Sequence, residues 1–108
     1  MQEYIIIITT TSSYDEANKI AKALLNSKLS ACITISEIKS QYIWQDKLEE
    51  SNEYKLEIKS LKALFREIEA LIKDLHSYET PEIIAIPIIF GSKDYLNWLK
   101  SEVASESI

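Results

Sequence analysis

The chain reads as an α+β domain, a four-stranded antiparallel sheet with two helices on one face and an added C-terminal helix. Three observations predict it. Continuous apolar, Ile-rich runs lie near either end, at residues 4–8 and 83–86. Two stretches of helical periodicity separate these runs from the middle of the chain. Between the helices, two alternating stretches flank one turn-like dipeptide, Gln45-Asp46. At 108 residues, with no Pro/Gly/Ser-rich linker and no internal repeat, the chain has room for a single two-layer core, so residues 1–108 are expected to form one domain.

The first strand, residues 4–8, is apolar at every position, the pattern of a central strand buried on both faces. Ser13 precedes Glu16 by three residues, a capping-box spacing, and Ala17, Ile20, Ala21 and Leu24 recur at helical intervals behind it. In the middle, Ile33 and Ile35 alternate with Cys32 and Thr34, and Tyr54, Leu56 and Ile58 alternate with charged residues. If Gln45-Asp46 is a two-residue turn, the ladder pairs Trp44 with Lys47, Tyr42 with Glu49, Ile35 with Leu56 and Ile33 with Ile58. Apolar residues thus fall opposite apolar ones, although the polar middle of the hairpin has room for a register-shifting bulge. A longer helix is expected to begin near Leu61, with Leu64, Phe65, Ile68, Leu71, Ile72 and Leu75 on one stripe. The last strand runs into Pro87, which suits an edge because proline has no N–H to donate to a ladder. A final helix is expected from Ser92, with Tyr95, Leu99 and Val103 on one face, and the polar tail beyond Val103 is expected to fray. The order strand, helix, strand, strand, helix, strand is the ferredoxin-like βαββαβ unit, with the first and third strands central.

A formal net charge of -5 argues against binding a phosphate backbone, which depends on clustered Lys and Arg, so no nucleic-acid partner is expected. No apolar run approaches the ~20 residues that a membrane-spanning helix needs. The amino terminus lacks a basic segment followed by an apolar one, and the single Cys32 has no intrachain partner, so the reducing cytoplasm is the expected location.

The hairpin register places Tyr42, Trp44, Lys47 and Glu49 on one face of the tip and Ile43 and Leu48 on the other. Both faces carry apolar side chains, and a small domain packs only one of them against its own helices. The second face points to another chain or a ligand. The simpler alternative is Lys47 lying over the Trp44 ring as an exposed cation–π pair. The Ile-rich edge strand, an aggregation liability if left bare, also points to a neighbouring subunit.

The segments KLSACITI, YIWQDKLEE, HSYETPEIIAIPI and GSKDYLNWL, in this order and spacing, resemble the CutA divalent-cation tolerance family over nearly the whole chain. The resemblance implies a homotrimer similar in architecture to the PII signalling proteins, with the hairpin reaching across to neighbouring subunits. It also implies an interface cleft at Tyr42, Trp44, Lys47, Glu49, Tyr78 and Glu82, and metal binding, with copper as the first candidate, at Cys32 and His76. The chain departs from the family pattern at several places. Asp46 stands where glycine is usual, Thr34 where asparagine is common, and Ser77 where proline is usual. The positions credited elsewhere with copper ligands read Thr9 and Leu75-His76, so His76 alone of that set remains.

One Cys and one His do not complete a four-ligand zinc site within a chain. Across a subunit boundary His76 has Glu79 and Glu82 as potential co-ligands, while its plainer reading is a partly exposed residue closing the second helix. Cys32, beside Ala31, reads equally as a small buried apolar residue. The single Gly91 excludes a Gly-rich phosphate loop, and no Ser-His-carboxylate set is assignable, so no enzyme and no required cofactor are expected. Two functional readings remain: weak binding of copper or another metal ion at subunit boundaries, and a PII-like module accepting a small ligand or protein segment in the clefts.

Overall fold

The computed structural model describes residues 3–103. Its elements are β1 (Tyr4–Thr11), α1 (Tyr14–Asn26), β2 (Cys32–Trp44), β3 (Lys47–Leu61), a 3-10 turn (Lys62–Leu64), α2 (Phe65–Leu75), β4 (Ile84–Ile88) and α3 (Lys93–Glu102). The strands form one sheet in the order β2-β3-β1-β4, with every neighbouring pair antiparallel. This is the ferredoxin-like topology, and β1 and β3 are central as expected.

The β2–β3 hairpin is in register from end to end. Ile33 pairs with Ile58, Ile35 with Leu56, Tyr42 with Glu49 and Trp44 with Lys47, and no bulge interrupts the polar middle. Register depends on the turn, and here Gln45 and Asp46 both adopt left-handed backbone, with φ of 52° and 65°. Positive φ at both central residues is the signature of a type I′ turn, whose twist matches that of the strands it joins. Beyond the region where β1 supports β3, the seven pairs from Ile38–Glu53 to Trp44–Lys47 stand out as a two-stranded ribbon.

The core lies between one sheet face and helices α1 and α2. Ile5, Ile7, Leu56 and Ile58 meet Ala17, Ile20, Ala21 and Leu24 of α1 and Ile68 and Ile72 of α2, all buried. In contrast to the expectation for β1, only one of its faces is fully covered within the chain. Tyr4, Ile6 and Ile8 are half-buried because both core helices sit on the other side. Helix α3 packs on that second face: Tyr95 lies against Cys32, which by strand alternation points away from Ile33 and Ile35. Leu99 of α3 is completely buried there.

Three boundaries differ from the periodicity reading. Leu61 belongs to β3, paired with Tyr4, and α2 begins at Phe65 after the 3-10 turn. Leu61 and Leu64 keep the helical stripe because the chain enters α2 over the core that buries the strand end. β4 extends to Ile88 and so contains Pro87, opposite Ile5, with the missing N–H tolerated at the free edge. The tail beyond Val103 lies outside the described residues.

Local chemistry explains the helix ends. Ser13 Oγ accepts from Glu16 N at 3.1 Å, and Ser92 Oγ accepts from Tyr95 N at 3.3 Å. Helix α1 ends in a Schellman motif: Leu29 N donates to Leu24 O, Lys28 N donates to Leu25 O, and Lys28 takes φ of 61°. A Cβ at Gly91 would lie 3.0 Å from Leu96 Cγ, so a side chain there requires Leu96 to shift by a few tenths of an ångström.

Candidate functional site

A cleft of about 860 Å³ opens where the ribbon leaves the sheet. Its walls are Tyr42 and Trp44 of β2, Glu49 and Glu53 of β3, Thr10 at the end of β1, and residues 78–82 between α2 and β4. Strand alternation explains the convergence. Tyr42, Trp44, Glu49 and Glu53 project to the same side of the ribbon, the side turned away from α1 and α2. Five of the six residues expected at an interface cleft therefore line one cavity. Lys47 sits opposite Trp44 at the tip and is not part of the lining. Among the described residues the cation–π contact is Arg66 over Phe65, at 5.4 Å, rather than Lys47 over Trp44.

The loop that closes the cleft is held by a polar network. The His76 side chain is fully buried, contrary to the partly exposed terminal histidine that sequence suggested. Its Nε2–H donates to Thr10 O at 2.8 Å, which leaves Nδ1 to accept from Tyr78 N at 3.1 Å. Glu16, beyond its place in the α1 cap, turns its carboxylate to this loop. It accepts from Ser77 N at 2.7 Å and Ser77 Oγ at 2.8 Å, and lies 3.3 Å from His76 Nδ1. Ser77 thus supplies both a backbone N–H and a hydroxyl to the Glu16 carboxylate. Tyr78 then reaches across the cleft floor, its hydroxyl donating to Glu53 Oε2 at 2.7 Å. Burial, followed by the hydrogen bond to the Glu53 carboxylate, pushes the Tyr78 phenol well above its ordinary range.

Cys32 and His76 do not meet. Cys32 starts β2 in the row of Lys59 and Ile6, whereas His76 bonds the backbone of Thr10, at the other end of β1. Both ring nitrogens of His76 are engaged, and no group of three or more His, Cys, Asp or Glu side chains suited to a metal ion occurs among the described residues. Cys32 instead touches Tyr95, whose phenol is pushed up by burial and then by the thiol beside it. Within one chain, these two residues do not fit a resident copper site.

Sequence reasoning missed Glu53 as a cleft residue, reading it as part of a polar strand face. The signal was available in the register, because Glu53 lies four residues from Glu49 on the same side of β3.

The same fold recurs among proteins of known structure. The model of the CutA1 divalent ion tolerance protein family matches residues 5–102. The chain belongs to this CutA1 family. The divalent-cation tolerance protein CutA of Archaeoglobus fulgidus is 42% identical over 97 residues, covering 90% of this chain and 95% of the relative. A solved structure, described as that of the periplasmic divalent cation tolerance protein CutA from the same organism, superposes with a TM-score of 0.92 at 40% identity. It covers 94% of this chain and 99% of its own. CutA1 from Oryza sativa gives a TM-score of 0.93 at 31% identity, with 96% of each chain covered. Membership in the CutA1 family therefore rests on the whole domain, including the ribbon and the loop over the cleft.

Proposed function

We propose that this CutA-family chain acts as a homotrimer in cation tolerance, by binding rather than by catalysis, and meets copper or another metal ion weakly at its subunit boundaries. The observation that carries the assembly is apolar surface in two separate places. On the ribbon, Ile43 is 68% and Leu48 72% exposed; at the sheet edge, Ile84 and Ile86 are exposed, followed by Ile89 and Phe90. Neither patch has a cover among the described residues, and a ribbon from one copy laid over the sheet edge of another would hide both. Metal binding is the cargo side of the same reading. Because His76 is occupied by its own chain, the exposed Glu79 and Glu82 at the cleft rim are the groups free to join side chains of a neighbouring subunit. Titration of the purified protein with copper and zinc tests this. Saturable binding that Glu79→Gln and Glu82→Gln weaken supports it, and the absence of saturable binding removes the metal role while leaving the assembly. A cytoplasmic location belongs to the same proposal and rests on the single cysteine; cell fractionation checks it.

A second reading is favoured by the cleft itself: a ligand-binding module of the PII-like kind, with a small molecule held between ribbon and loop. Its support is a cavity of about 860 Å³, within the usual range for small-molecule sites, walled by Tyr42, Trp44 and Tyr78. Stabilisation by a metabolite in a thermal-shift panel, with no response to metal, selects this reading over the first.

A further inference from the structure

Charge separates the classes of ligand that the cleft can take. Its lining contains four carboxylates, Glu49, Glu53, Glu79 and Glu82, and no Lys, Arg or His. None of the four takes part in an ion pair among the described residues, where the pairs are Lys55–Glu57, Lys62–Glu3, Arg66–Glu69 and Lys73–Glu69. Glu53 is the decisive member. It is 6% exposed, the group bonded to it is a neutral phenol, and among the described residues no cationic side chain lies within ion-pair distance of it. Burying a carboxylate without a counter-charge is costly, and structures that retain one usually supply the opposite charge from somewhere. Beside it, Ser51, paired with the cleft-lining Ser40, buries a hydroxyl with no hydrogen-bond partner. Of Glu53 and Ser51, the former lines the cleft, so a polar group entering it meets the carboxylate.

The aromatic walls narrow the chemistry further. Tyr42, Trp44 and Tyr78 offer ring faces, which attract an organic cation and its methylene carbons. A bare divalent ion gains little from such faces, and no three acidic, Cys or His groups among the described residues lie close enough together to hold one. An anionic ligand meets four carboxylates and no cationic side chain in the lining.

We propose that the cleft is a site for a small organic cation, a primary ammonium or diammonium compound, with Glu53 as its buried counter-charge, Glu49 and Glu82 nearer the mouth, and the aromatic side chains around its carbon chain. The inference rests on the reading of the cleft as a ligand site and adds the sign and class of the ligand.

Two five-carbon probes of equal length and opposite charge test it: cadaverine, with an ammonium at each end, and glutarate, with a carboxylate at each end. Calorimetric titration of the full-length protein should show saturable cadaverine binding and none for glutarate. Glu53→Gln keeps the shape and the Tyr78 hydrogen bond and should weaken cadaverine about tenfold or more, the usual effect of losing a charged hydrogen-bond partner. Glu82→Gln, at an exposed position, gives a second variant independent of buried packing. Glu67→Gln, on the exposed surface of α2, should leave binding unchanged. Equal weakening by Glu67→Gln would mean diffuse attraction to an acidic protein and would overturn the site. Glutarate binding that Trp44→Ala abolishes would overturn the cationic class while leaving the cleft as a ligand site. Silence from both probes and from the metabolite panel would remove the cleft reading as well. A basic side chain from a neighbouring copy seated on Glu53 in a crystal of the assembly would also overturn the proposal.

Discussion

Replacing Ile43 and Leu48 together by serine tests the assembly most directly, because both side chains project from the ribbon to the side opposite the cleft. Fully burying an Ile or Leu side chain is worth about 1.5–3 kcal/mol. Ile43 is 68% and Leu48 72% exposed, so roughly two-thirds of that value remains for each to gain on association. The pair therefore contributes about 2–4 kcal/mol per ribbon, and with three ribbons in a trimer about 6–12 kcal/mol in all. Each 1.4 kcal/mol is a factor of ten in an equilibrium constant, so the double variant should dissociate at protein concentrations orders of magnitude higher than the parent. Sedimentation equilibrium from nanomolar to tens of micromolar reads this, with circular dichroism confirming that each chain stays folded. The single chain should lose little stability of its own, since neither residue belongs to its core. A parent protein that is monomeric across the range, or a variant that assembles as tightly as the parent, would refute the reasoning.

Other outcomes follow from individual contacts. Lys28→Gly should raise stability by about 0.5–1 kcal/mol, because the left-handed backbone at φ 61° disfavours a side chain by more than glycine's extra unfolded freedom takes back; thermal melts check it. Asp46→Gly at the hairpin turn should act in the same direction, and loss of stability there would argue for a side-chain contact that outweighs the backbone effect. Tyr78→Phe should cost about 1–3 kcal/mol at neutral pH by leaving Glu53 without its hydrogen-bond donor, measured by urea unfolding. Since the folded Tyr78 holds its proton above the ordinary value of 10.0, its contribution is complete below that pH and is lost as pH rises above it. The parent should therefore lose stability more steeply in that alkaline range than Tyr78→Phe.

What sequence made legible depended on how local the determining interactions are. The hairpin register was recoverable because a two-residue turn fixes every later pair, and matched apolar residues at Ile33–Ile58 and Ile35–Leu56 served as a check. The helix starts were legible through Ser13 and Ser92, whose hydroxyls act within three residues. The start of α2 was not, because Leu61 is apolar for the strand and Leu64 for the turn, and periodicity reports burial without naming the element that causes it. The state of His76 was hidden for a different reason. Its partners Thr10 and Glu16 lie 66 and 60 positions away, so its burial follows from topology rather than from neighbours in sequence. Glu53 was obscured in the same way: alternation marked it as polar, but the loop that buries it arrives from residues 78–82.

The ribbon also works as a measuring stick. Seven unsupported pairs at about 3.3 Å each give an arm of roughly 23 Å, comparable to the 20 Å thickness of the molecule along its shortest axis. In the proposed assembly, removing one residue from each strand would shorten that reach by a single step and exchange which side chains face the neighbour. Removing two would restore the faces but leave the tip short of its seat. Copies with arms of unequal length would then be poor companions for one another, so arm length alone would let related chains in one cell sort into separate assemblies.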